Sequence, residues 1–330
     1  MSSSQSIVPA LHEALAPSIH FHRIGMDDRA TPLPTLGSDE AYAVPSFELA
    51  EELIARGADS ARIAISPDDS SENRHLGYSQ AAGNQLIPIS PFDFKQSIII
   101  VLPTYNERAN LEALVQTISR YLVADILIVD DNSPDGTGEL ADQLSAQNGQ
   151  IHVLHRPHKE GLGPAYLAGF EWVLQRQYDL IIEMDCDFSH APWDLPRLVH
   201  RCRTADLVIG SRYVPGGRTE HWNAHRRFVS RCGNSYVRLF LGSTIHDWTG
   251  GFRCYRRELL TRMNLTTVRA KGYVFQVELA WRAVQLGADI TELPIRFSDR
   301  VYGQSKLGWR SITEALIEIP QLYLLSRGNR

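Results

Sequence analysis

The stretch Leu180-Ile-Ile-Glu-Met-Asp-Cys-Asp-Phe-Ser-His190 passes from a short apolar run into two carboxylates one residue apart. A run this short, with amphipathic stretches on either side, reads as a buried strand. Residues i and i+2 of an extended chain project to one face, so Asp185 and Asp187 turn toward a common point. Working outward, four runs share its character: Ile98–Leu102, Ile126–Val129, Ile151–Leu154 and Leu207–Gly210. Helical patterns fill the intervals near Glu107–Leu122, Thr137–Leu144 and Pro164–Gln175. Continuous apolar strands alternating with helices predict an α/β fold, a mostly parallel Rossmann-like sheet with helices on both faces. Ligands of such sheets bind beyond the carboxyl ends of the strands. The polar residues that appear where the apolar runs stop are therefore the candidates for chemistry.

The first run ends in Pro103-Thr-Tyr-Asn-Glu107, where Pro103 is expected to stop the strand. The polar groups that follow either cap a helix or face a ligand. The second ends in Asp130-Asp131, which can accept hydrogen bonds from a ribose or a base; Asn132 to Thr137 then has turn and cap chemistry. Gly161-Leu-Gly163 matches a dinucleotide fingerprint poorly, because Tyr166 stands where its third glycine should fall and Pro164 reads as the first residue of a helix. No Walker-type phosphate loop occurs. Asp185 and Asp187 are hard oxygen ligands of the kind that suit Mg²⁺ or Mn²⁺, exposed turn acids being the plainer alternative.

The 330 residues are 43% hydrophobic and 22% charged, an ordinary globular balance. No stretch approaches the ~20 apolar residues of a membrane-spanning helix. Met1–Gln5 lacks the basic start of a secretory signal. Cys186, Cys202, Cys232 and Cys254 are scattered without a Cys-x-x-Cys pair, which fits a reducing compartment. A cytoplasmic protein is expected. Residues 1–211 carry 14 Lys/Arg against 29 Asp/Glu, whereas residues 212–330 carry 19 against 9. The basic third suggests an anionic partner, and the lack of a nucleic-acid motif or interleaved aromatics argues against nucleic acid. Residues 1–95, rich in Pro, Ser and Asp, read as a loosely ordered extension with a helix at Phe47–Arg56 capped by Ser46. A folded domain over 96–310 and an amphipathic tail over 311–330 complete the expected organisation. Arg226–Leu241 mixes arginines with apolar residues in a composition that suits a helix lying at an anionic membrane surface.

Taken together, Pro103–Glu107, Val129-Asp-Asp131, Asp135-Gly-Thr137, Gly161-Leu-Gly163, Met184–His190, Ser211-Arg-Tyr213, Thr249-Gly-Gly-Phe-Arg253, Gly272–Gln276 and Asp299–Leu307 resemble the family 2 glycosyltransferases. Within that family the polyprenyl-phosphate (dolichyl-phosphate) mannosyltransferases are the most similar, from about Ser97 to about Trp309. The resemblance implies a GT-A fold and inverting, metal-dependent transfer of mannose from GDP-mannose to a polyprenyl phosphate. Another sugar, such as glucose, or a non-catalytic nucleotide-sugar-binding protein are the alternatives. It further implies that Pro103, Tyr105, Glu107, Val129 and Asp131 hold the donor nucleoside. Asp185, Asp187 and Ser189 would face Mg²⁺ or Mn²⁺. Arg212, Arg300 and Lys306 would grip the donor phosphates and, with Asp187, carry catalysis. Arg226 and Ser230 would meet the acceptor phosphate. Cys186 departs from the small alanine usual between the two aspartates; at that donor-binding position it predicts retained activity with sensitivity to oxidation. Asp247 stands where a general base could sit and reads as structural or acceptor-orienting. A peripheral enzyme on the cytosolic face of a membrane follows, with or without a small membrane-protein partner.

Overall fold

The structure is a computed structural model; it describes residues 20–23, 40–44, 63–65, 78–81 and 85–88, and residues 93–328 except 221, 243, 271, 273 and 299–308. The chain divides into two compact units, 1–92 and 93–330. In the first, strands His20–Arg23, Glu40–Val44 and Ile63–Ile65 form a parallel three-stranded sheet, and Tyr78–Ala81 pairs antiparallel with Gln85–Pro88. The helix expected at Phe47–Arg56 lies outside the described residues, and the strands were not anticipated by the sequence pattern.

The second unit is built on a seven-stranded sheet. Its elements run β1 (Ile98–Thr104), α1 (Arg108–Tyr121), β2 (Asp125–Asp130), α2 (Thr137–Gln147), β3 (Ile151–His155), α3 (Leu162–Leu174) and β4 (Leu180–Glu183). There follow α4 (Leu195–Cys202), β5 (Leu207–Ser211), β6 (Arg218–Thr219), α5 (Ala224–Leu241), β7 (Arg253–Arg256) and α6 (Arg257–Arg262). The unit closes with α7 (Val274–Gln285), β8 (Ile290–Pro294), β9 (Arg296–Phe297) and α8 (Trp309–Gly328). The spatial order is β8-β5-β7-β4-β1-β2-β3, parallel throughout except for β7, which is antiparallel to both neighbours.

The strand pattern explains this arrangement. Ile99, Ile100, Val101 and Leu102 have no exposed surface, as expected of a central strand covered on both faces. Helix α3 approaches β1 closely at Gly169, where an added Cβ would stand 2.6 Å from Val101 Cγ1. Its start differs from the sequence reading: Leu162 opens the helix behind Gly161, whose φ is 115°, and Pro164 falls inside the first turn. At the other loop of this half, Asp135 accepts from the Arg108 amide at 3.2 Å and from the Thr137 amide at 3.0 Å. One carboxylate thus serves the amino ends of both α1 and α2. Burial alone would raise the Asp135 carboxyl, but the bonds from Thr137 and Arg108 overcome it and hold the group below its ordinary range.

Much of the positive charge of the C-terminal third is used inside this unit. Arg257 donates to the carbonyls of Leu174 and Arg176 past the end of α3, and Arg256 to those of Cys202, Ala205 and Arg203 past the end of α4. Arg282 does the same for Met263, and Arg296 pairs with Glu220. Arg256, Arg257 and Arg282 thus satisfy carbonyls at helix ends and Arg296 a carboxylate, so the charge count overstates the charge left for an anionic partner.

Gly169→Ala should destabilise the protein. Helix propensity favours alanine by about 1 kcal/mol, but a methyl group against a stiff, buried Val101 costs roughly 1–3 kcal/mol. The midpoint of urea unfolding should fall; an unchanged or higher midpoint would show that β1 and α3 can separate without penalty.

Candidate active site

The crevice at the carboxyl end of the sheet originates in one residue. β1 pairs with β2 as far as Thr104 and Asp130, but with β4 only as far as Val101 and Glu183. The Val101 carbonyl accepts from the Met184 amide at 3.3 Å, so β1 turns its odd-numbered backbone groups toward β4. The next odd residue is Pro103, which has no amide hydrogen to give. Pro103 does not end the strand, as the sequence suggested; it ends only the pairing on the β4 side. The opening between β1 and β4 is where the strand order reverses, the ordinary position for a ligand in an open α/β sheet.

Three tight turns line this opening. Asn106, Asn132 and Phe188 follow β1, β2 and β4 and have φ of 60°, 55° and 60°. The left-handed region is unfavourable for a bulky side chain such as Phe188. Local bonds hold it: Asp187 Oδ1 accepts from the Ser189 amide at 3.0 Å, and His190 Nδ1 accepts from the Asp185 amide at 3.0 Å. His190 is buried between Phe252, stacked at 5.0 Å, and Phe297, edge-on at 5.4 Å. Burial holds its pKa below the ordinary histidine value. The ring is neutral at physiological pH, with its hydrogen on Nε2 because Nδ1 accepts. Asp187 and Ser189 are buried and Asp185 is half-buried; Tyr166 Oη donates to Asp185 at 3.4 Å.

On the β1–β2 side, Pro103 and Val129 are directly paired in register. Asp131 is 4% exposed and accepts from Arg156 Nη1 at 2.5 Å. Burial raises the Asp131 carboxyl above its ordinary range even against that guanidinium. Tyr105 is half-buried beneath the Lys159 ammonium, 3.6 Å from its ring centroid. Glu107 receives the Asn110 side-chain amide at 2.8 Å and donates its own backbone amide to Thr137 Oγ1. Cys186 is buried, and burial, with Glu107, Asp187 and Asp185 nearby, pushes its thiol well above the ordinary value. A protonated, enclosed thiol reacts poorly, which argues against the expected sensitivity to oxidation.

Across the crevice, Arg212 follows β5. Its backbone amide, Nε and Nη2 all bond the carboxylate of Asp247, at 3.0, 2.7 and 2.6 Å, and Nη2 also reaches Thr249 Oγ1 at 2.8 Å. Asp247 has no exposed surface. Burial would raise its carboxyl, but Arg212 outweighs this and holds it below the ordinary range. Ser230 Oγ accepts from Tyr213 Oη at 2.6 Å, and the Arg226 guanidinium lies 4.0 Å from the Trp222 ring centroid. Arg300 and Lys306 lie outside the described residues. Arg212, Ser230 and Thr249 also supply polar groups to a cavity of about 470 Å³ between α5, α7 and α8, whose walls include Val237, Val277 and Ile319. That volume suits a small apolar ligand.

Several residues of the site escaped the sequence reading. Arg156 clamps Asp131 from the residue after β3, where a lone Arg-Pro carries no signal. Asn234 of α5 accepts from the Trp248 amide at 2.8 Å and donates to Thr249 Oγ1 at 3.3 Å. Glu292 of β8 accepts from the amides of His246 and Asp247, each at 2.8 Å. Arg253, part of the quoted Thr249–Arg253 motif but given no role there, is wholly buried and donates to the carbonyls of Gly250, Trp248 and Gln276. These groups shape the segment that carries Asp247.

Among the described residues, no group of three or more His, Cys, Asp or Glu side chains is arranged to hold a metal by itself. The paired carboxylates of Asp185 and Asp187, one half-buried and one buried at a strand mouth, fit a hard divalent ion that takes the rest of its shell from water and substrate phosphate.

Residues 99–263 match the family described as Glycosyl transferase family 2. The chain is 45% identical to the polyprenol monophosphomannose synthase of Mycolicibacterium smegmatis over 254 residues, 76% of this chain and 95% of that protein. It is also 45% identical to the undecaprenyl-phosphate mannosyltransferase of Micrococcus luteus, covering 70% of this chain and 95% of that one. Among solved structures, glucosyl-3-phosphoglycerate synthase from Mycobacterium tuberculosis, in complex with Mn²⁺, UDP and phosphoglyceric acid, has a TM-score of 0.50 at 21% identity, covering 70% of this chain and 78% of that one. That likeness concerns the GT-A fold.

Glu183, at the end of β4, has no exposed surface, and burial raises its carboxyl to about 7 despite Arg253. The folded state therefore binds a proton that the unfolded chain releases, and stability should fall as pH rises from the ordinary carboxylate range toward 7. The effect amounts to at most about 3 kcal/mol. Comparing urea midpoints at pH 5 and pH 8, Glu183→Gln should lose less stability than the parent. An identical decline in both would assign the pH dependence elsewhere.

Proposed function

Because the chain belongs to glycosyl transferase family 2, we propose that it transfers mannose from GDP-mannose to a polyprenyl phosphate, inverting the anomeric carbon. The observation that carries this reading is the largely apolar cavity whose lining includes the polar groups of Arg212, Ser230 and Thr249. A sugar acceptor would call for a polar trough. A polyprenyl phosphate offers a hydrocarbon chain for Val237, Val277 and Ile319 and an anionic head for Ser230 and the neighbouring Arg226. The names of the two bacterial relatives, a polyprenol monophosphomannose synthase and an undecaprenyl-phosphate mannosyltransferase, support the same acceptor and sugar.

The donor nucleoside lies against Pro103, Tyr105, Glu107 and Val129. Asp131 and Arg156 offer an acceptor beside a donor, complementary to the N–H and C=O edge of guanine. Uracil has a similar edge, which makes a UDP-sugar the competing donor. Asp185, Asp187 and Ser189 would hold Mg²⁺ or Mn²⁺, the latter present in the structural relative; when bound, the ion neutralises charge on the departing diphosphate. Arg212, Arg300 and Lys306 are proposed to grip those phosphates.

A phosphate oxygen of the acceptor attacks the anomeric carbon as the bond to the diphosphate breaks, and GDP leaves with the electron pair. A phosphate monoester, with a second pKa near ~6, is anionic at neutral pH and needs no general base. This agrees with the state of Asp247. Its carboxylate is occupied by Arg212, and it holds that cation in place at the cavity's edge.

Incubation with GDP-mannose, Mg²⁺ or Mn²⁺ and a short polyprenyl phosphate should yield a mannosyl-phosphate lipid by mass spectrometry. UDP-glucose as sole donor should give none. Asp187→Asn should lower the rate about 100-fold or more. Absence of lipid product with bound GDP-mannose would discard the acceptor assignment. On the cavity wall, Gly233 has open space at its Cβ position. Gly233→Phe should raise the acceptor KM about tenfold while GDP-mannose affinity, measured by calorimetry, stays the same. A parallel loss of both would show that the cavity does not belong to the acceptor alone.

A further inference from the structure

Tyr166 stands where a dinucleotide fingerprint would have its third glycine, and it has no exposed surface. Its ring is stacked on two others in the interior, Phe275 at 6.0 Å and 2° and Phe170 at 6.0 Å and 26°. Phenylalanine would fill such a slot. A buried hydroxyl costs free energy unless it is bonded, so the oxygen on this ring needs a reason.

The reason lies at the mouth of β4. Gly169 allows α3 to press against Val101 of β1. One turn earlier on the same buried face, Tyr166 reaches the segment that follows β4. There its Oη donates to Asp185 Oδ1 at 3.4 Å. Tyr255 of β7 offers a comparison within the same aromatic cluster. It too is wholly buried and meets Phe170 edge-on at 5.9 Å. Its Oη donates to Glu183 Oε2 and accepts from Arg253 Nη1, both at 3.3 Å. Two phenols thus serve two carboxylates that are two residues apart. Tyr255 takes the one inside the sheet, and Tyr166 takes the one at the crevice.

The two aspartates of the crevice are also held in different ways. Asp187 Oδ1 accepts from the Ser189 amide of its own turn. The Asp185 main chain is bonded to His190, but its carboxylate is reached by a side chain from another element. A donor on one carboxylate oxygen fixes the direction of the remaining lone pairs, and donors of this kind commonly change metal affinity by about 10–100-fold.

We propose that Tyr166 is a positioning residue for the divalent cation. Its hydroxyl fixes the Asp185 carboxylate in the orientation that shares the ion with Asp187, and so sets the affinity for metal without being a ligand. The proposal rests on the reading of Asp185 and Asp187 as the metal carboxylates. It assigns the aromatic cluster two separable tasks: Tyr166 serves the ion and Tyr255 serves the fold.

The test measures GDP binding to the full chain by calorimetry, in EDTA and over a series of Mn²⁺ concentrations. Free Mn²⁺ in the same mixtures is counted from its electron paramagnetic resonance signal. For the parent, Mn²⁺ should tighten GDP binding, and Asp187→Asn should remove that gain. Tyr166→Phe keeps both ring stacks. It should raise the Mn²⁺ concentration that gives half of the gain about tenfold, with GDP affinity in EDTA and the urea midpoint close to those of the parent. Excess Mn²⁺ should restore its GDP affinity. Tyr255→Phe should lower the urea midpoint and leave the Mn²⁺ requirement unchanged. An unchanged requirement in Tyr166→Phe would overturn the proposal. So would an equal rise in both variants, which would assign the effect to packing of the cluster. A parent whose GDP affinity ignores Mn²⁺ would overturn the metal reading itself, and the proposal with it.

Discussion

The missing amide hydrogen of Pro103 is the constraint from which the site follows. A strand in a parallel sheet bonds two neighbours alternately, and this one stops bonding β4 while it continues to bond β2. The gap so formed receives the turn after β4, which places Asp185 and Asp187 at its edge. Three left-handed residues, two of them asparagine, close the turns around it. The strain at Phe188 persists because Asp187 and His190 each bond a backbone amide of the same turn. The geometry of the carboxylates is fixed before any ligand arrives.

The opposite wall is organised by buried charge. Arg212 and Asp247 form a nearly enclosed pair with three hydrogen bonds to one carboxylate. Removing two charges from water is costly, and only a well-bonded pair tolerates it. Glu292 and Asn234 supply the remaining bonds by holding the backbone of residues 246 to 248. Arg253 does the same for the turn below through three carbonyls. This wall is thus a polar network wrapped in an apolar shell.

Legibility in the sequence followed physical periodicity. The five apolar runs became β1 to β5 nearly at their expected bounds because strands buried on both faces leave an unbroken apolar signal. Asp185 and Asp187 could be found because they interrupt such a run. β7 was not read as a strand: Arg253-Cys-Tyr-Arg256 mixes charge with apolar residues, its arginines serving carbonyls in the interior. Arg156, Asn234 and Glu292 escaped because their partners are 25, 14 and 45 or more residues away, and no spacing rule relates them. The charge count also misled in part, since cations inside a fold and cations on its surface look alike in a composition.

The antiparallel strand β7 bears on how the chain is made. It lies between β4 and β5 in space but follows both in sequence. A nascent chain that has emerged only as far as α5 has the four-stranded fragment β4-β1-β2-β3 and the lone strand β5, with bare edges and nothing to join them. Such edges are templates for pairing with other chains. Closure waits for residues beyond 253, a long-range step of the kind that slows folding. The two walls of the crevice therefore come together only after β7 has emerged, and a ribosome that stalls before it leaves exposed edges for a chaperone to cover.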